Sequence, residues 1–344
     1  MIRNDIRALG AYHVPDDAGL IKLDAMESPH GMPARLRAAW LKRLSEVEIN
    51  RYPDAGMDAL RRKIAERDGV AAKQVLIGNG SDEIIQMLLM AADAGACVTP
   101  APTFIMYGLI SRWLKRPLST VPLSRDFSLD AKIFLEVCSR EKAAIVFLAC
   151  PNNPTGNMWP EETIRQIAEG FRGLVVIDEA YRPFASRIHT QLIAPNVLIL
   201  RTFSKLGWAG LRLGYALGDA DTIAQLNKVR LPYNINALTQ ASAAFLLDHF
   251  QVFEKQAVEI CAERARVAAA LAKINNVEVF PSESNFLLLR VPDADETFAQ
   301  LMNRGILVKN MHGQDDLLKQ CLRVTIGTKK ENSQFLAALK EIIA

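Results

Sequence analysis

Through the middle of the chain, short apolar runs alternate with longer stretches in which apolar positions recur every three or four residues. The short runs are QVLIG (74–78), ACVT (96–99), AAIVFLAC (143–150), LVVID (174–178) and VLILRTF (197–203). Their near-continuous Val, Ile, Leu and Phe content predicts strands buried on both faces of a sheet. Between them, DEIIQMLLMAADA (82–94) and PEETIRQIAEGF (160–171) carry helical spacing, and the second opens on Pro and acidic residues as a helix N-terminus does. This alternation predicts an α/β fold with a mainly parallel central sheet. From about residue 235 the pattern changes. Positions 239–274 read as long Ala-rich helix, positions 277–291, 305–310 and 321–327 as strands, and positions 294–303 and 330–343 as helices. A second, smaller α/β unit is expected there.

Composition narrows the setting. The 344 residues, 50% hydrophobic and 23% charged, suffice for a large core and two domains. Lys and Arg number 41 against 38 Asp and Glu, a net +3 with no basic run, so no nucleic-acid footprint is indicated. The longest apolar stretches, at 84–92 and 143–150, are too short to span a bilayer. The opening MIRNDIRALGAYHVPDDAG lacks the apolar block of a secretory signal, and a cytoplasmic protein is expected. Five scattered cysteines, at 97, 138, 150, 261 and 321, suit reduced thiols and form no C-x-x-C pair. The histidines show no metal-ligand spacing, so no metal is expected.

Three segments follow predicted strands, where open α/β sheets place ligands: PNNPTG (151–156), DEAY (178–181) and TFSKLGWAGLRLG (202–214). Taken singly, each has a bland reading as a turn, a solvated strand end or a surface lysine loop. Together they match what a pyridine cofactor bearing an aldehyde and a phosphate needs. Lys205 can form the Schiff base. Asp178 can keep the ring nitrogen protonated so that the ring accepts electrons. Tyr181 can donate to the ring oxygen beside the imine, and Asn153 from the other side. For the phosphate, Gly80, Ser81 and Asp82 in GNGSDE (78–83) stand between a strand and a helix, where amides and the helix dipole favour an anion. The alternative is that Ser81 only caps the helix. Thr202, Ser204 and Arg212 flank Lys205 and can complete the cup, Arg212 through its fixed fork of donors.

With these segments in hand, the chain resembles the fold-type-I pyridoxal-phosphate-dependent aminotransferases, and within them the histidinol-phosphate aminotransferase family. The likeness runs through AYHVPD (11–16), IKLDAMESP (21–29), RYPD (51–54), GNGSDE, PTFIMY (102–107), PNNPTG, DEAY, SKLGWAGLRLG, ESNFLLLR (283–290) and CLRVTIGT (321–328). It implies an N-terminal arm (1–35) serving the smaller domain and the site, a large cofactor-binding domain (36–250) and a small C-terminal α/β domain (251–344). It implies pyridoxal 5'-phosphate as cofactor, and a homodimer with active sites at the subunit boundary. Tyr107 would stack on the cofactor ring, and Tyr52 would reach the phosphate of the neighbouring subunit's cofactor. Arg323, Lys309 and Tyr12 would face the substrate.

Two departures from the family pattern stand out: Ser28, where many relatives have Asn, and Lys309, where some have Arg. Lys309 can bind phosphate as a point charge without the bidentate fork. The implied reaction exchanges an amino group between histidinol phosphate plus 2-oxoglutarate and imidazole acetol phosphate plus glutamate, in histidine biosynthesis. Decarboxylation of a phosphorylated amino acid such as threonine phosphate is the alternative. A regulatory cofactor-binding module would call for an appended DNA-binding segment or a lost Lys, and the chain has neither.

Overall fold

The computed structural model describes residues 1–11 and 17–343. Its central sheet contains β1 (Val75–Gly78), β2 (Ala96–Ala101), β3 (Leu118–Pro122), β4 (Ala143–Ala149), β5 (Leu174–Asp178), β6 (Val197–Thr202) and β7 (Gly214–Leu217). The spatial order is β1-β7-β6-β5-β4-β2-β3. Strand β7 runs antiparallel to both neighbours, β1 and β6, and the remaining pairings are parallel. The mainly parallel sheet expected from the alternation is therefore present.

The apolar runs follow from the pleat. Successive side chains of a strand point to opposite faces. In β4, Val146 and Leu148 enter one core cluster while Ile145, Phe147 and Ala149 enter the other; β6 divides Val197 and Ile199 from Leu198 and Leu200 in the same way. With both faces covered, most positions are apolar, and each such side chain contributes roughly 1.5–3 kcal/mol by leaving water. Polar residues return near the strand ends, as at Asp178, Arg201 and Thr202.

Two strands lay outside the apolar pattern. Strand β3, LSTVP, is an edge strand with mostly part-exposed positions, and β7, GYAL, has only four residues. The helical stretch at 239–274 is also divided, into Ala237–Asp248 and Phe250–Leu271, at His249 with φ −116° and ψ 21°. Neither Gly nor Pro marks that break.

Towards the C-terminus, β8 (Glu278–Val279), β9 (Phe286–Arg290), β10 (Lys309–Asn310) and β11 (Cys321–Thr325) form an antiparallel sheet in the order β10-β11-β9-β8. Segment Ile21–Lys22 pairs in parallel with Ile306–Leu307, and the Thr325 N–H donates to the Leu23 carbonyl at 2.8 Å. These bonds tie residues 21–26 to the C-terminal unit and carry Ala25 and Met26 to the mouth of the cleft described below. Among the described residues no helix is long and apolar enough to cross a membrane.

Candidate active site

The carboxyl ends of β4, β5 and β6 open into a cleft of about 230 Å³. At its floor, Asp178 ends β5 with 3% exposure. Its Oδ1 accepts the Ala180 N–H at 3.0 Å, and its Oδ2 accepts the Tyr107 hydroxyl at 2.6 Å. Burial pushes the carboxyl up to about 6, although both hydrogen bonds favour the anion. A cationic N–H presented to this carboxylate would return it to the charged form.

Lys205 lies in a single 3₁₀ turn, Ser204–Leu206, just past β6. Gly207 follows at φ +86°, a conformation suited to Gly. Burial, then the Arg323 charge, lower the Lys205 ammonium to about 8, so a useful fraction is neutral amine near neutral pH. Its Nζ is 3.4 Å from the Ala25 carbonyl oxygen and 5.9 Å from the centre of the Tyr181 ring. Tyr181 is buried, its ring edge-on to Phe286, and burial raises its phenol.

The residues expected to form the anion cup lie near one another, with one adjustment to the capping expected of Ser81. Gly80, at φ +81°, is the N-cap of helix Ser81–Ala91, and Ser81 is its first helical residue rather than its cap. A Cβ on Gly80 would lie 2.9 Å from Arg212 Nη2. Arg212 is half-exposed and its guanidinium is 3.6 Å from Asp82, whose carboxyl is raised by burial. Across the cup, Thr202 Oγ1 accepts the Ser204 N–H at 3.1 Å and lies 2.9 Å from Ser204 Oγ.

The substrate wall joins the two sheets. Arg323, on β11 and buried, donates from Nη1 to Asn153 Oδ1 at 2.5 Å and from Nη2 to the Asp24 carbonyl at 2.8 Å. That leaves the Asn153 Nδ2 hydrogens as donors to the cleft. Its neighbour Asn152 serves the loop instead, bonding Thr103, Thr155 and the Pro102 carbonyl. Lys309 is the register partner of Arg323 on β10.

Asn153, Asp178, Tyr181, Lys205, Ser81, Asp82, Thr202, Ser204, Arg212 and Tyr107 all line one cleft. Gly80, Arg323 and Lys309 are not among the lining residues, and two further expectations fall elsewhere. Tyr52 is 81% exposed and stacked on Tyr233 at 4.5 Å, away from this cleft. Tyr12 lies outside the described residues. Tyr107, expected to stack on the cofactor ring, is fully buried at the cleft wall, with Phe147 stacked at 4.6 Å, Phe104 edge-on at 5.4 Å and its hydroxyl donating to Asp178. Phe104, which sequence reasoning missed, lines the cleft and is the aromatic positioned to cover a ring. Its place as the N-cap of helix Ile105–Trp113, directly after the strand-end segment PT, was the signal. Ser28 does not line the cleft; its hydroxyl accepts the His30 N–H at 3.3 Å.

The residues fit a pyridoxal group on the chemistry of the donor set. A buried carboxylate lacks a cation, a buried lysine is poised as an amine, and a half-exposed Arg stands at a helix N-terminus. The profile of the family described as aminotransferase class I and II matches residues 18–339. Histidinol-phosphate aminotransferase 2 of Cupriavidus pinatubonensis is 50% identical over 348 residues, covering 98% of this chain and 95% of the relative. Histidinol-phosphate aminotransferase 1 of Ralstonia nicotianae is 47% identical, covering 98% and 93%. The crystal structure of histidinol-phosphate aminotransferase from Sinorhizobium meliloti in complex with pyridoxal-5'-phosphate superposes with a TM-score of 0.90 at 26% identity, covering 99% of this chain and 97% of that one.

Proposed function

The chain belongs to the class I and II aminotransferase family, and on that footing we propose that it is a pyridoxal-phosphate-dependent histidinol-phosphate aminotransferase. It exchanges an amino group between histidinol phosphate and 2-oxoglutarate, a step of histidine biosynthesis. The observation that carries the substrate assignment is the pairing of Lys309 with Arg323. Directly opposed residues of an antiparallel pair share a face, and two like charges there repel. A dianionic phosphate between them relieves that repulsion, and takes more positive charge than a carboxylate needs.

In this reading Gly80, Ser81, Asp82, Thr202, Ser204 and Arg212 hold the cofactor phosphate, Asp178 keeps the proton on its ring nitrogen, Tyr181 and Asn153 donate to its ring oxygen, and Phe104 covers its face. When bound, the cofactor supplies an aldehyde that captures the amine and a pyridinium that takes up electrons from the substrate carbon. Lys205 Nζ removes the proton from that carbon and returns it to the adjoining position, and its lowered basicity suits both transfers. Tyr107 holds Asp178 in place throughout.

The proposal includes a cytoplasmic homodimer in which Tyr52 completes the partner's cup. Its support is an aromatic pair, Tyr52 and Tyr233, exposed by 81% and 43% beside Leu231 at 69%. The division into arm, large domain and small domain at residues 35 and 250 belongs to the same reading and draws support from the helix break at His249.

Purified protein given histidinol phosphate and 2-oxoglutarate should release glutamate. Unphosphorylated histidinol should be a far poorer donor, because it brings no anion to relieve the repulsion between the opposed cations. Equal efficiency for the two donors would sink the substrate assignment, and carbon dioxide release without need of a 2-oxo acid would replace it with a decarboxylase.

A further inference from the structure

Behind the cleft lies a buried ion cluster that the reaction does not use. Asp68 ends helix Asp58–Asp68, and its side chain is 0% exposed. Its carboxylate lies 2.9 Å from Arg67 Nη1, 3.1 Å from Arg182 Nη1 and 2.9 Å from Arg201 Nη1, and accepts the Tyr215 hydroxyl at 2.6 Å. Burial alone would raise this carboxyl, but Arg201, Arg182, the Tyr215 hydrogen bond and Arg67 together outweigh it and hold it below the ordinary range. Arg201 also donates from Nε to Glu179 Oε2 at 2.8 Å and from Nη2 to Thr190 at 2.7 Å. Glu179 Oε1 accepts the His189 N–H at 2.6 Å.

The position of the cluster along the chain is informative. Glu179 follows Asp178, Arg182 follows Tyr181, and Arg201 precedes Thr202. Tyr215 follows Gly214, where a Cβ would lie 2.5 Å from the Ser81 nitrogen. In extended chain, neighbours point to opposite sides. At the strand-end positions Asp178, Thr202 and Gly214 this sets the neighbours Glu179, Arg201 and Tyr215 on the cluster side, Arg182 joins from a 3₁₀ turn, and the three segments 178–182, 201–202 and 214–215 are tied directly or through Arg201 to one carboxylate. Buried ion pairs add little net stability over apolar packing of the same volume, whereas breaking one is costly. Fixing geometry is the use that this placement supports.

We propose that Asp68 is a positioning residue, which acts through Arg201, Arg182 and Tyr215 to hold Asp178, Tyr181 and the Thr202–Lys205 turn at the spacing the cofactor requires. The inference rests on the pyridoxal-phosphate reading above. Asp68 never touches the cofactor, and its effect is on how tightly and in what orientation the cofactor is held.

The test is Asp68→Asn in the full chain, since the amide keeps the volume and removes the anion. Three properties are measured: the pyridoxal-phosphate dissociation constant by equilibrium dialysis, the circular dichroism of the bound cofactor's visible band, and thermal unfolding. The dissociation constant should rise roughly tenfold, because small displacements of positioned groups are costly, and the dichroic band should change. Ile164→Val, a core substitution on the distant helix Glu161–Gly170, should lower the unfolding temperature and leave both cofactor readouts at parent values. If Asp68→Asn does not fold, Tyr215→Phe, which removes one donor to Asp68, should move the same readouts in the same direction. A dissociation constant and band like the parent's, with only the unfolding temperature lowered, overturns the positioning role. A parent protein that binds no pyridoxal phosphate overturns the reading beneath it instead, so the two failures are distinguishable.

Discussion

Tyr107 and Asp178 are joined by a 2.6 Å hydrogen bond in which the phenol donates to the carboxylate, both groups wholly enclosed. The pair fixes the rotamer of the one carboxylate at the cleft floor and leaves it an anion that burial disfavours. Burial and the Asp178 charge also raise the Tyr107 phenol far above its ordinary value, so it stays a donor at all working pH. Tyr107→Phe should keep the fold and weaken cofactor binding, since Asp178 loses a bond that favours its charged form. Titration of stripped Tyr107→Phe protein with pyridoxal phosphate checks this, and parent-like affinity would contradict it.

Asp178 itself should cost stability when the cofactor is absent. Its carboxyl stands at about 6 in the fold, against an ordinary 3.8. The folded chain then binds this proton more tightly than the unfolded one, so stability falls as pH rises from about 3.8 to 6, and the full cost is present above 6. Cofactor-free Asp178→Asn should therefore be more stable than the parent by about 2–3 kcal/mol above pH 6, with the gain fading towards pH 4. The same variant loaded with cofactor should lose most turnover, because an amide cannot hold the ring proton. Denaturant unfolding of both stripped proteins across this range decides the matter; identical curves at pH 7.5 would refute it.

Lys205 titrates near 8, and only its neutral form reacts with an aldehyde. Cofactor uptake by stripped protein should speed up as pH rises through about 8 and level off beyond, followed by absorbance in a stopped-flow instrument. Borohydride should fix the label on Lys205 alone. A label on another lysine in the peptide map removes the assigned mechanism, and Lys205→Ala should retain at most non-covalent cofactor without turnover.

Tyr52 does not reach the cleft of its own chain. If it completes the partner's, mixed dimers of Lys205→Ala and Tyr52→Ala chains should regain part of the activity that each lacks alone, because one of their two sites keeps both residues. Verified heterodimers with no recovery would count against the shared site.

Arg323 and Lys309 should differ in effect. Arg323→Ala removes a buried guanidinium held by Asn153 and the Asp24 carbonyl, and kcat/KM for histidinol phosphate should fall by about 2–5 kcal/mol. Lys309→Ala should cost less, since an ammonium is a point charge without a fixed fork. Steady-state kinetics on both variants test the order, and a larger loss for Lys309→Ala would reverse the assignment.

Much of this was legible in the residues. The strands β4, β5 and β6 announce themselves because both faces are buried, and the polar last residues of β5 and β6, Asp178 and Thr202, mark the cleft. PTFIMY offers two aromatics that both line the cleft, and the stacking of Tyr107 on Phe147 across the sheet, which distinguishes them, has no trace in the local sequence. The break at His249 has no local signal. Arg201, a charge within an otherwise apolar run, was a clue to a buried partner, but its partner Asp68 lies 133 residues away and only the packed sheet brings them together.

Arg212 sits at φ 50° and ψ 53°, a left-handed conformation that costs a residue with a Cβ about 1–2 kcal/mol. Glycine would adopt it freely, and the guanidinium stands half in solvent, 3.6 Å from Asp82. If Arg212 holds the cofactor phosphate as proposed, stability and anion capture pull against each other at a single torsion. Selection for heat resistance alone, carried out on cofactor-free protein, should enrich Gly or Asn at position 212 and yield tougher chains with an emptied phosphate cup. Selection that scores retained colour should hold the arginine in place.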